Sequence, residues 1–456
     1  MNLNDAVLAR KEQMIKSLQE NLRIPSVRGE EMPDAPYGVE VKNALLHALE
    51  TAKDLGFKTC NVDYHMGWCE YGEGDEMVAV LAHLDVVPEG DGWTYKPYGA
   101  EISDGKIWAR GTTDDKGPAI AALYALAALR DSNLSLNRRV RVLFGCNEET
   151  GSNDVEYYLS HGGEVPVMGF TPDGEYPVIN GEKGILISAF SKQYKQSGEL
   201  KLLSIKGGTA ANVVPNYALA EFSCPEALAN EIVKTSIPKV NFTLIENGFK
   251  VEAFGVSAHG SIPETGENAI GRLLGAMNTL PLCEELKNTV SFLYEKVGRD
   301  TCGKAAGIYL CDEVSGPLSL NLGTISGDEQ KLTVEINYRY PVTFSYDNCA
   351  IVFNKLFDDA GFTLDSETHS DKLYFSEDSL LVKSLLKVYE EQTGFKDKPK
   401  CIGGGTYAKS MPNILAFGPV FPGEEAREHQ SDEYITVDNL VKNARIIAAA
   451  MYELAK

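Results

Sequence analysis

Two hydrophobic patterns divide the chain, and the first combines strands with helices. Continuous apolar runs at Met77–Ala82 and Val140–Gly145 predict strands that are covered on both faces. A helical period predicts helices over residues 4–22, 39–56 and Lys116–Arg130. The expected inward positions of the first helix are Ala6, Leu8, Met14, Ile15 and Leu18. Strands that alternate with helices are typical of an α/β domain with a central sheet.

The second pattern, from about residue 186 to 374, is strand-like alternation with a helical stretch at Ala269–Thr279. The strands expected there are Leu200–Ile205, Val240–Leu244, Lys250–Phe254 and Lys331–Tyr340. This pattern predicts an inserted α+β domain. The elements expected after it are a helix over Asp378–Thr393, a strand over Ile414–Phe417 and a helix over Thr436–Leu454. We therefore expect one discontinuous domain, residues 1–185 with 375–456, and one inserted domain, residues 186–374.

Composition narrows the class of protein. A chain of 456 residues is too long for a single hydrophobic core, which supports the division into domains. The formal charge of -22 argues against nucleic acid as a partner, because phosphate backbones attract basic surfaces. No apolar run approaches the length of a membrane span, and the N-terminus lacks the pattern of a signal peptide. The nine scattered cysteines show no paired framework, so we expect reduced thiols and a cytoplasmic location.

Polar side chains occur where predicted strands end or where a predicted helix begins. They are His83, Asp85, Asp114, Asp115, Glu148, Glu149, Asp173 and the late His429. Because ligands gather beyond the carboxyl ends of strands in open α/β sheets, we expect these side chains to converge in one cleft. Histidine and carboxylate without thiolate suit zinc, manganese or cobalt. Such an ordered set is typical of a two-metal hydrolase.

The first of these polar residues, which we call landmarks, have both a chemical and a purely structural interpretation. His83 is a candidate metal ligand, and Asp85 is placed to accept its other ring N–H and so to orient the ring. Asp114 and Asp115 precede the Ala-rich helix, where an aspartate commonly caps the first turn. One of these two carboxylates can instead bridge two metals, and both roles can be filled at once, one per aspartate.

The adjacent pair Glu148 and Glu149 follows a predicted strand. Most such pairs lie in solvated loops, since neighbouring carboxylates repel each other unless a cation or a proton separates them. The surrounding landmarks favour a division of labour in which one glutamate binds metal and the other acts as general base. Asp173 and His429 are candidate terminal ligands. His259 lies between glycines in the inserted domain, where a lone histidine is more often structural.

The chain resembles the di-zinc metallopeptidases that include aminoacylase, carnosinase, succinyl-diaminopimelate desuccinylase and glutamate carboxypeptidase. The resemblance covers essentially the whole chain. It is carried by the ordered motifs His83-Leu-Asp85, Arg110-Gly-Thr-Thr-Asp114-Asp115-Lys-Gly, Glu148-Glu149-Thr-Gly, Asp173-Gly-Glu and the segment around His429. Its length, its long insertion and the segment Gly-Gly-Gly-Thr406-Tyr make it most similar to the bacterial PepV-type dipeptidases.

The resemblance implies a role for each landmark. His83, Asp114, Glu149, Asp173 and His429 are then the metal ligands, with Asp114 as the bridging carboxylate and Asp115 as a non-ligand. Asp85 orients His83, and Glu148 is the general base. The implied cofactor is a pair of divalent ions, zinc first, with manganese or cobalt as alternatives. Ala109 departs from the first glycine of the family pattern Gly-Arg-Gly-x-x-Asp-x-Lys-Gly, which leaves the ligand unaffected.

The resemblance also assigns substrate-binding residues. His259 resembles a histidine of the lid domain that stabilises the oxyanion, and Asn212 and Arg339 resemble lid residues that bind substrate. The guanidinium of Arg339 and the backbone N–H groups of Gly404, Gly405 and Thr406 are candidates for holding a substrate carboxylate. The alternatives are an ion pair on a strand face for Arg339 and a simple turn for the glycine run. The length of the insertion resembles relatives that supply the lid histidine within one chain, which favours a monomer.

The resulting hypothesis is a metal-dependent dipeptidase that hydrolyses unblocked dipeptides, β-alanyl dipeptides among them. The expected fold is a zinc-exopeptidase-like α/β catalytic domain, with a central mixed sheet flanked by helices, plus an inserted α+β lid domain. One alternative is an amidohydrolase that removes acyl or succinyl groups from amino acids by the same chemistry. Another is a binding protein that keeps the fold without catalysis. The sequence leaves the preferred side chains and the physiological metal open.

Overall fold

Helices form largely where the hydrophobic period predicts them. The structure is a computed structural model that describes residues 2–425 and 427–456. Its α-helices, in chain order, are α1 Leu3–Ala9, α2 Lys11–Leu22, α3 Val39–Asp54, α4 Lys116–Asp131, α5 Asn153–Ser160, α6 Glu226–Ile232, α7 Ala269–Met277, α8 Glu284–Leu293, α9 Ala350–Asp359, α10 Leu380–Thr393 and α11 Val437–Ala455.

The first predicted helix is interrupted, which corrects one inward position. The backbone of Arg10 leaves helical geometry, with φ -104° and ψ 3°, and separates α1 from α2. Its guanidinium Nε donates to Asp131 at the end of α4 at 2.7 Å. After this break Val7 is buried and Leu8 is 43% exposed, so the prediction that Leu8 points inward was wrong.

The strands follow the predicted runs within a few residues. In chain order they are β1 Lys58–Val62, β2 Met66–Tyr71, β3 Met77–His83, β4 Glu101–Ser103, β5 Lys106–Trp108, β6 Arg139–Gly145, β7 Met168–Thr171, β8 Gly174–Glu175, β9 Ile179–Glu182, β10 Gly184–Gln193, β11 Lys201–Gly207, β12 Tyr217–Ser223, β13 Val240–Ile245, β14 Gly248–Phe254, β15 Cys311–Asp312, β16 Gly316–Pro317, β17 Ser319–Asp328, β18 Lys331–Tyr340, β19 Thr363–Ser370, β20 Leu373–Tyr374, β21 Lys400–Ile402, β22 Ile414–Ala416, β23 Pro419–Val420 and β24 Tyr434–Thr436.

The chain divides into two compact units. The first comprises residues 1–180, 375–400 and 406–456, and the second comprises residues 181–374 and 401–405. The sequence pattern predicts the end of the first segment at residue 185 instead of 180, and it assigns residues 401–405 to the first unit. Their grouping with the second unit has a local cause, since the backbone N–H of Lys183 donates to the carbonyl of Ile402 at 3.1 Å.

A mixed sheet forms the centre of the first unit. Six of its strands, followed from one edge of the sheet, lie in the order β1, β2, β6, β3, β7 and β22. The central strands β6, β3, β7 and β22 run parallel to one another, whereas β2 is antiparallel to both of its neighbours, β1 and β6. Every residue of β3 is buried, as expected for a strand with helices on both faces. Helix α4 is buried along nearly its whole length and packs against α11, α1 and α2.

The second unit contains an antiparallel sheet in the order β13, β14, β12, β11, β17, β18, β10 and β19. Along β10 buried and half-buried positions alternate, the pattern of a sheet with one face on a core. Helix α7 packs on β12, β14 and β17 with all but two of its residues buried. The predicted fold class, an α/β unit with a mixed sheet and an inserted α+β unit, is therefore confirmed.

Candidate metal centre

Three neighbouring strands end at one edge of the mixed sheet. His83 is the last residue of β3 and pairs in parallel register with Gly145, the last residue of β6. Glu148 follows shortly after Gly145, and Asp173 follows shortly after the end of β7. Parallel strands present their carboxyl ends on the same side, so the sheet brings these polar side chains to one edge.

Two clusters of side chains form there and share one carboxylate. The Nε2 atom of His83 lies 3.0 Å from Asp114 Oδ1 and 3.9 Å from Asp173 Oδ2. The Nε2 atom of His429 lies 2.9 Å from Asp114 Oδ2 and 3.2 Å from Glu149 Oε2. Within each cluster the ligand atoms lie within 4.8 Å of one another. One carboxylate that offers an oxygen to each cluster is the arrangement that two neighbouring cations require.

The His83 imidazole is oriented as a metal ligand would be. Its Nδ1 atom lies 3.0 Å from the carbonyl oxygen of Asp85 and 3.5 Å from the Asp85 carboxylate. Both are acceptors, so we place the ring proton on Nδ1, which leaves the lone pair of Nε2 facing Asp114. Among the described residues, Nε2 is buried and makes no hydrogen bond of acceptable geometry, and the same holds for Glu149 Oε1. Buried unsatisfied atoms of this kind fit a cation.

Asp85 has a second function that the sequence did not indicate. Its carboxylate accepts the backbone N–H of Glu148 at Oδ1 and that of Glu149 at Oδ2, each at 3.1 Å. Asp85 is 1% exposed. The ring of His83 is nearer to the carbonyl oxygen of Asp85 than to its carboxylate. One buried residue therefore orients a candidate ligand and also holds the backbone of the glutamate pair.

Asp115 does not cap the helix that follows it. It occupies the N-cap position of α4, but its side chain makes no capping hydrogen bond. Instead, its Oδ2 atom accepts the backbone N–H of His83 at 3.0 Å. The alternative interpretation, in which an aspartate of the pair caps the first turn, therefore does not describe Asp115. The carboxylate of Asp115 therefore binds the end of β3, at the residue that carries the candidate ligand His83.

The electrostatics of the site are those of crowded, buried acids. Burial, followed by the charge of Asp173, raises the pKa of Glu148 well above its usual value. Burial and the charge of Asp114 raise the pKa of Asp173 to about 7. Hydrogen bonds to Asp114 and Glu149 raise the pKa of His429 to about 11. Repelling carboxylates and a strongly basic imidazole both indicate a local excess of negative charge that a divalent cation would neutralise.

Tyr407 packs against the candidate metal centre, although the sequence analysis noted it only as the last residue of the glycine-rich segment. Its hydroxyl donates to Asp154 Oδ2 at 2.5 Å, and its ring meets the His83 ring edge-on at 5.9 Å between centroids. A Cβ at Gly145 would lie 1.9 Å from the Tyr407 hydroxyl oxygen. The close approach explains why glycine ends β6. Nothing in the local pattern could have paired residues so far apart in sequence.

The second unit gathers its own predicted residues around Gly260. The backbone N–H of Gly260 donates to the carbonyl of Asn212 at 2.7 Å, and a Cβ there would lie 3.0 Å from Asn337 Oδ1. The Nε of Arg339 donates to the same Asn337 oxygen at 3.0 Å. His259 precedes Gly260, is exposed, and has its Nδ1 2.6 Å from Ser261 Oγ. The structure therefore brings Asn212, His259 and Arg339 together within this unit.

Arg339 and the glycine run are in contact. The guanidinium of Arg339 donates to the carbonyl of Gly403 at 2.6 Å. Arg339 is 3% exposed, and burial lowers its pKa to about 10, which leaves it charged at neutral pH. Gly404 and Gly405 belong to the second unit, whereas Thr406 begins the next segment of the first unit. The hydroxyl of Thr406 accepts the N–H of Ala408, so it caps a short 3-10 turn. These partners of Arg339 are an amide oxygen and a backbone carbonyl, so the contacts are not the alternative ion pair on a strand face.

Comparison with known proteins identifies the family. Residues 79–453 match the family described as Peptidase family M20/M25/M40. Over 471 aligned residues the chain is 41% identical to "Putative dipeptidase YtjP" of Bacillus subtilis, with 100% of each chain covered. A relative from Staphylococcus haemolyticus, "Putative dipeptidase SH1171", is 34% identical, with 97% of each chain covered.

Solved structures show the same fold at low sequence identity. Aminoacylhistidine dipeptidase from Vibrio alginolyticus superposes with a TM-score of 0.59 at 14% identity, with 96% of each chain covered. Human carnosine dipeptidase 1 gives 0.56 at 16% identity, covering 99% of this chain and 98% of that one. No helix within the described ranges is long and apolar enough to cross a membrane.

These matches confirm the predicted family, a peptide-bond hydrolase with a divalent-metal cofactor. The roles of individual residues stay predictions, because similarity of fold and name does not test them. By the extent of the family match and the identity to its relatives, this chain belongs to peptidase family M20/M25/M40.

Proposed function

We propose that the protein is a dipeptidase that hydrolyses the peptide bond of unblocked dipeptides with two divalent ions, zinc in the first instance. The observation that carries the proposal is the pair of side-chain clusters that share Asp114. His83, Asp114 and Asp173 would hold one ion, and Asp114, Glu149 and His429 would hold the other. Manganese and cobalt accept the same donor set, so they are the alternatives to zinc.

When bound, the two ions would supply Lewis-acid activation of water and of the substrate carbonyl. Glu148 would take the proton of the attacking water and later return it to the leaving amine. Its raised pKa supports this role, because burial among other acids gives a carboxylate the affinity for a proton that a general base needs. The Glu148 backbone is anchored on Asp85 at 3.1 Å, which supports a fixed placement of the side chain.

The second unit would supply substrate recognition. We assign the carboxylate of the dipeptide to the buried charge of Arg339 and to the backbone N–H groups of Gly404, Gly405 and Thr406. In this assignment His259 stabilises the oxyanion, and Asn212 helps to bind the substrate. The likeness in fold to enzymes named carnosine dipeptidase and aminoacylhistidine dipeptidase supports β-alanyl-histidine as one substrate to test.

The alternative chemistry is removal of an acyl group from an amino acid. The metal clusters serve both reactions equally, and the difference lies in whether the substrate carries a free amine. The dipeptidase proposal is favoured by the names of the relatives that match across the whole chain. The proposal includes a monomeric state, which the length of the insertion supports, and a cytoplasmic location, which the usage of cysteine supports.

The test compares matched substrates. Protein stripped of metal and reloaded with zinc or manganese is assayed against leucyl-glycine and β-alanyl-histidine, and against N-acetyl and N-succinyl amino acids. We expect metal-dependent cleavage of the free dipeptides and no cleavage of the acylated compounds. Cleavage of the acylated compounds alone would move the protein to the deacylases, and metal binding without any turnover would make it a binding protein.

The matched variant for this test is Glu148→Ala. We expect turnover to fall by about 10²–10⁴-fold, the usual contribution of a general base. Two zinc ions per chain should remain bound, since Glu148 is not among the proposed ligands. Turnover near that of the unaltered protein would refute the assignment of Glu148.

A further inference from the structure

Glu433 occupies an unusual position close to the candidate metal centre. It is 0% exposed, and no role follows for it from the chemistry above. Its Oε2 atom accepts the N–H of Gly111 at 3.0 Å, and its Oε1 atom accepts the N–H of Thr113 at 2.8 Å and that of Asp114 at 3.3 Å. A single carboxylate therefore binds the backbone of the loop that carries the shared aspartate.

Arg110 completes this arrangement from the same loop. It is 2% exposed, and its NH1 atom donates to Glu433 Oε2 at 2.8 Å. The same nitrogen donates to the carbonyl of Gln430 at 3.1 Å, next to His429, and NH2 donates to the carbonyl of Glu89 at 3.3 Å. Arg110 thus contacts both the segment that carries His429 and the segment that follows His83 and Asp85.

We propose that Glu433 is a positioning residue for the metal centre. Its carboxylate binds the backbone of the Arg110–Asp114 loop directly, and through Arg110 it fixes this loop against the His429–Glu433 segment on which Glu433 lies. This inference rests on the proposed function, because it takes Asp114 and His429 as ligands. Glu433 is not a member of either cluster of candidate ligands. It acts by fixing the backbone of Asp114 and, through Arg110, that of the residue beside His429.

The physical reason is the geometry of the donors. Backbone N–H groups that point into one concavity bind an anion strongly, and a carboxylate buried there is stabilised by every one of them. Glutamine in this position would keep one oxygen and replace the other by an NH2 donor. That NH2 group would face either Arg110 and Gly111 or the N–H groups of Thr113 and Asp114, and donors facing donors push the loop away.

The experiment measures zinc binding, not hydrolysis. Metal-free wild-type protein and Glu433→Gln are titrated with zinc in the presence of a competing chelator, and the absorption spectra of their cobalt forms are compared. The matched control is Glu70→Gln, because Glu70 is also a largely buried carboxylate with an ion pair to Arg141 at 2.6 Å, outside the metal clusters. Circular dichroism and thermal unfolding establish the folded fraction of each protein.

We expect both zinc affinities of Glu433→Gln to fall by about tenfold or more, with an altered cobalt spectrum, as for other residues that support metal ligands. Glu70→Gln should lose thermal stability while both zinc affinities stay at the wild-type values. Wild-type zinc affinities in folded Glu433→Gln would overturn the proposal, whatever its melting temperature.

A second variant decides the matter if Glu433→Gln does not fold. Arg110→Lys keeps the positive charge but cannot reach Glu433, Gln430 and Glu89 at once, since lysine lacks the planar fork of arginine. The same weakening of zinc binding is expected, and unchanged affinities would refute the proposal. If the wild-type protein binds two zinc ions and cleaves no dipeptide, the proposed function fails, and the zinc affinities of Glu433→Gln still decide this inference. If Glu433→Gln binds zinc normally and the wild type cleaves dipeptides, this inference fails and the proposed function is unaffected.

Discussion

Replacing Asp85 by Asn tests whether one buried carboxylate fixes the backbone of the glutamate pair at the candidate metal centre. The carboxylate accepts the N–H groups of Glu148 and Glu149, one at each oxygen, and both distances are 3.1 Å. Asparagine keeps only one of these acceptors and places an NH2 group against the other N–H. The side chain is 1% exposed, so water cannot replace the lost acceptor.

The magnitude follows from these contacts. A hydrogen bond to a charged group contributes about 1.5–3 kcal/mol, and a buried donor left without a partner costs about 1–3 kcal/mol. We therefore expect Asp85→Asn to lower the free energy of unfolding by about 3 kcal/mol. The displaced backbone carries Glu148 and Glu149, so kcat/KM for a dipeptide should fall by about 10–100-fold, as when other groups that support metal ligands are lost.

The assay combines urea unfolding of the metal-free protein with hydrolysis of leucyl-glycine by the zinc-loaded protein. The control is Asp312→Asn in the second unit, where the carboxylate also accepts backbone N–H groups, from Ser315 and Thr343. This control should lose stability with kcat/KM unchanged. The reasoning is refuted if Asp85→Asn hydrolyses the dipeptide at the wild-type rate, or if it loses no more activity than Asp312→Asn.

Three further outcomes are expected. Gly145→Ala should lower the free energy of unfolding by about 2 kcal/mol or more, because its Cβ would clash with Tyr407. Gly29→Ala should not, because its Cβ would lie 3.4 Å from the nearest atom, and equal melting temperatures of the two variants would contradict the prediction. Burial lowers the pKa of His47, so its contribution to stability is present above the unfolded pKa of about 6.5 and is lost as the pH falls. On acidification the melting temperature of the wild type should therefore drop more than that of His47→Gln, and parallel pH profiles of the two proteins would contradict this prediction. Removal of divalent ions with a chelator should lower the melting temperature, zinc should restore it, and a chelator-insensitive melting curve would contradict the metal assignment.

The sequence predicted best what depends on local pattern. The run that became β3 is apolar at every position up to His83, and a buried strand that ends in a polar residue is visible without any knowledge of its neighbours. The same rule located Glu148 after β6 and Asp173 after β7. Parallel strands carry their ends to one edge, so the convergence of these residues also followed from pattern alone.

What the sequence missed depends on contacts between distant segments. Glu433 binds the N–H of Gly111 across 322 positions of sequence, and in the sequence it is one acidic residue in a polar run. Tyr407 reaches Asp154 across 253 positions. Arg10, where the first predicted helix is interrupted, likewise has a distant partner, since its guanidinium bonds to Asp131 at the far end of α4. Periodicity carries no information on such pairs.

The two uses of Asp85 show why a local motif underestimates a buried carboxylate. The spacing His83-Leu-Asp85 indicates a histidine and the acid that orients it, and a single hydrogen bond would satisfy that interpretation. A buried carboxylate has lone pairs for several donors, however, and each one left empty costs free energy. In the fold those lone pairs are filled by two successive backbone N–H groups 63 and 64 positions away. The nearer partner of the His83 ring is then the carbonyl oxygen of Asp85, so the motif predicts a contact for a carboxylate that in the fold binds two backbone N–H groups.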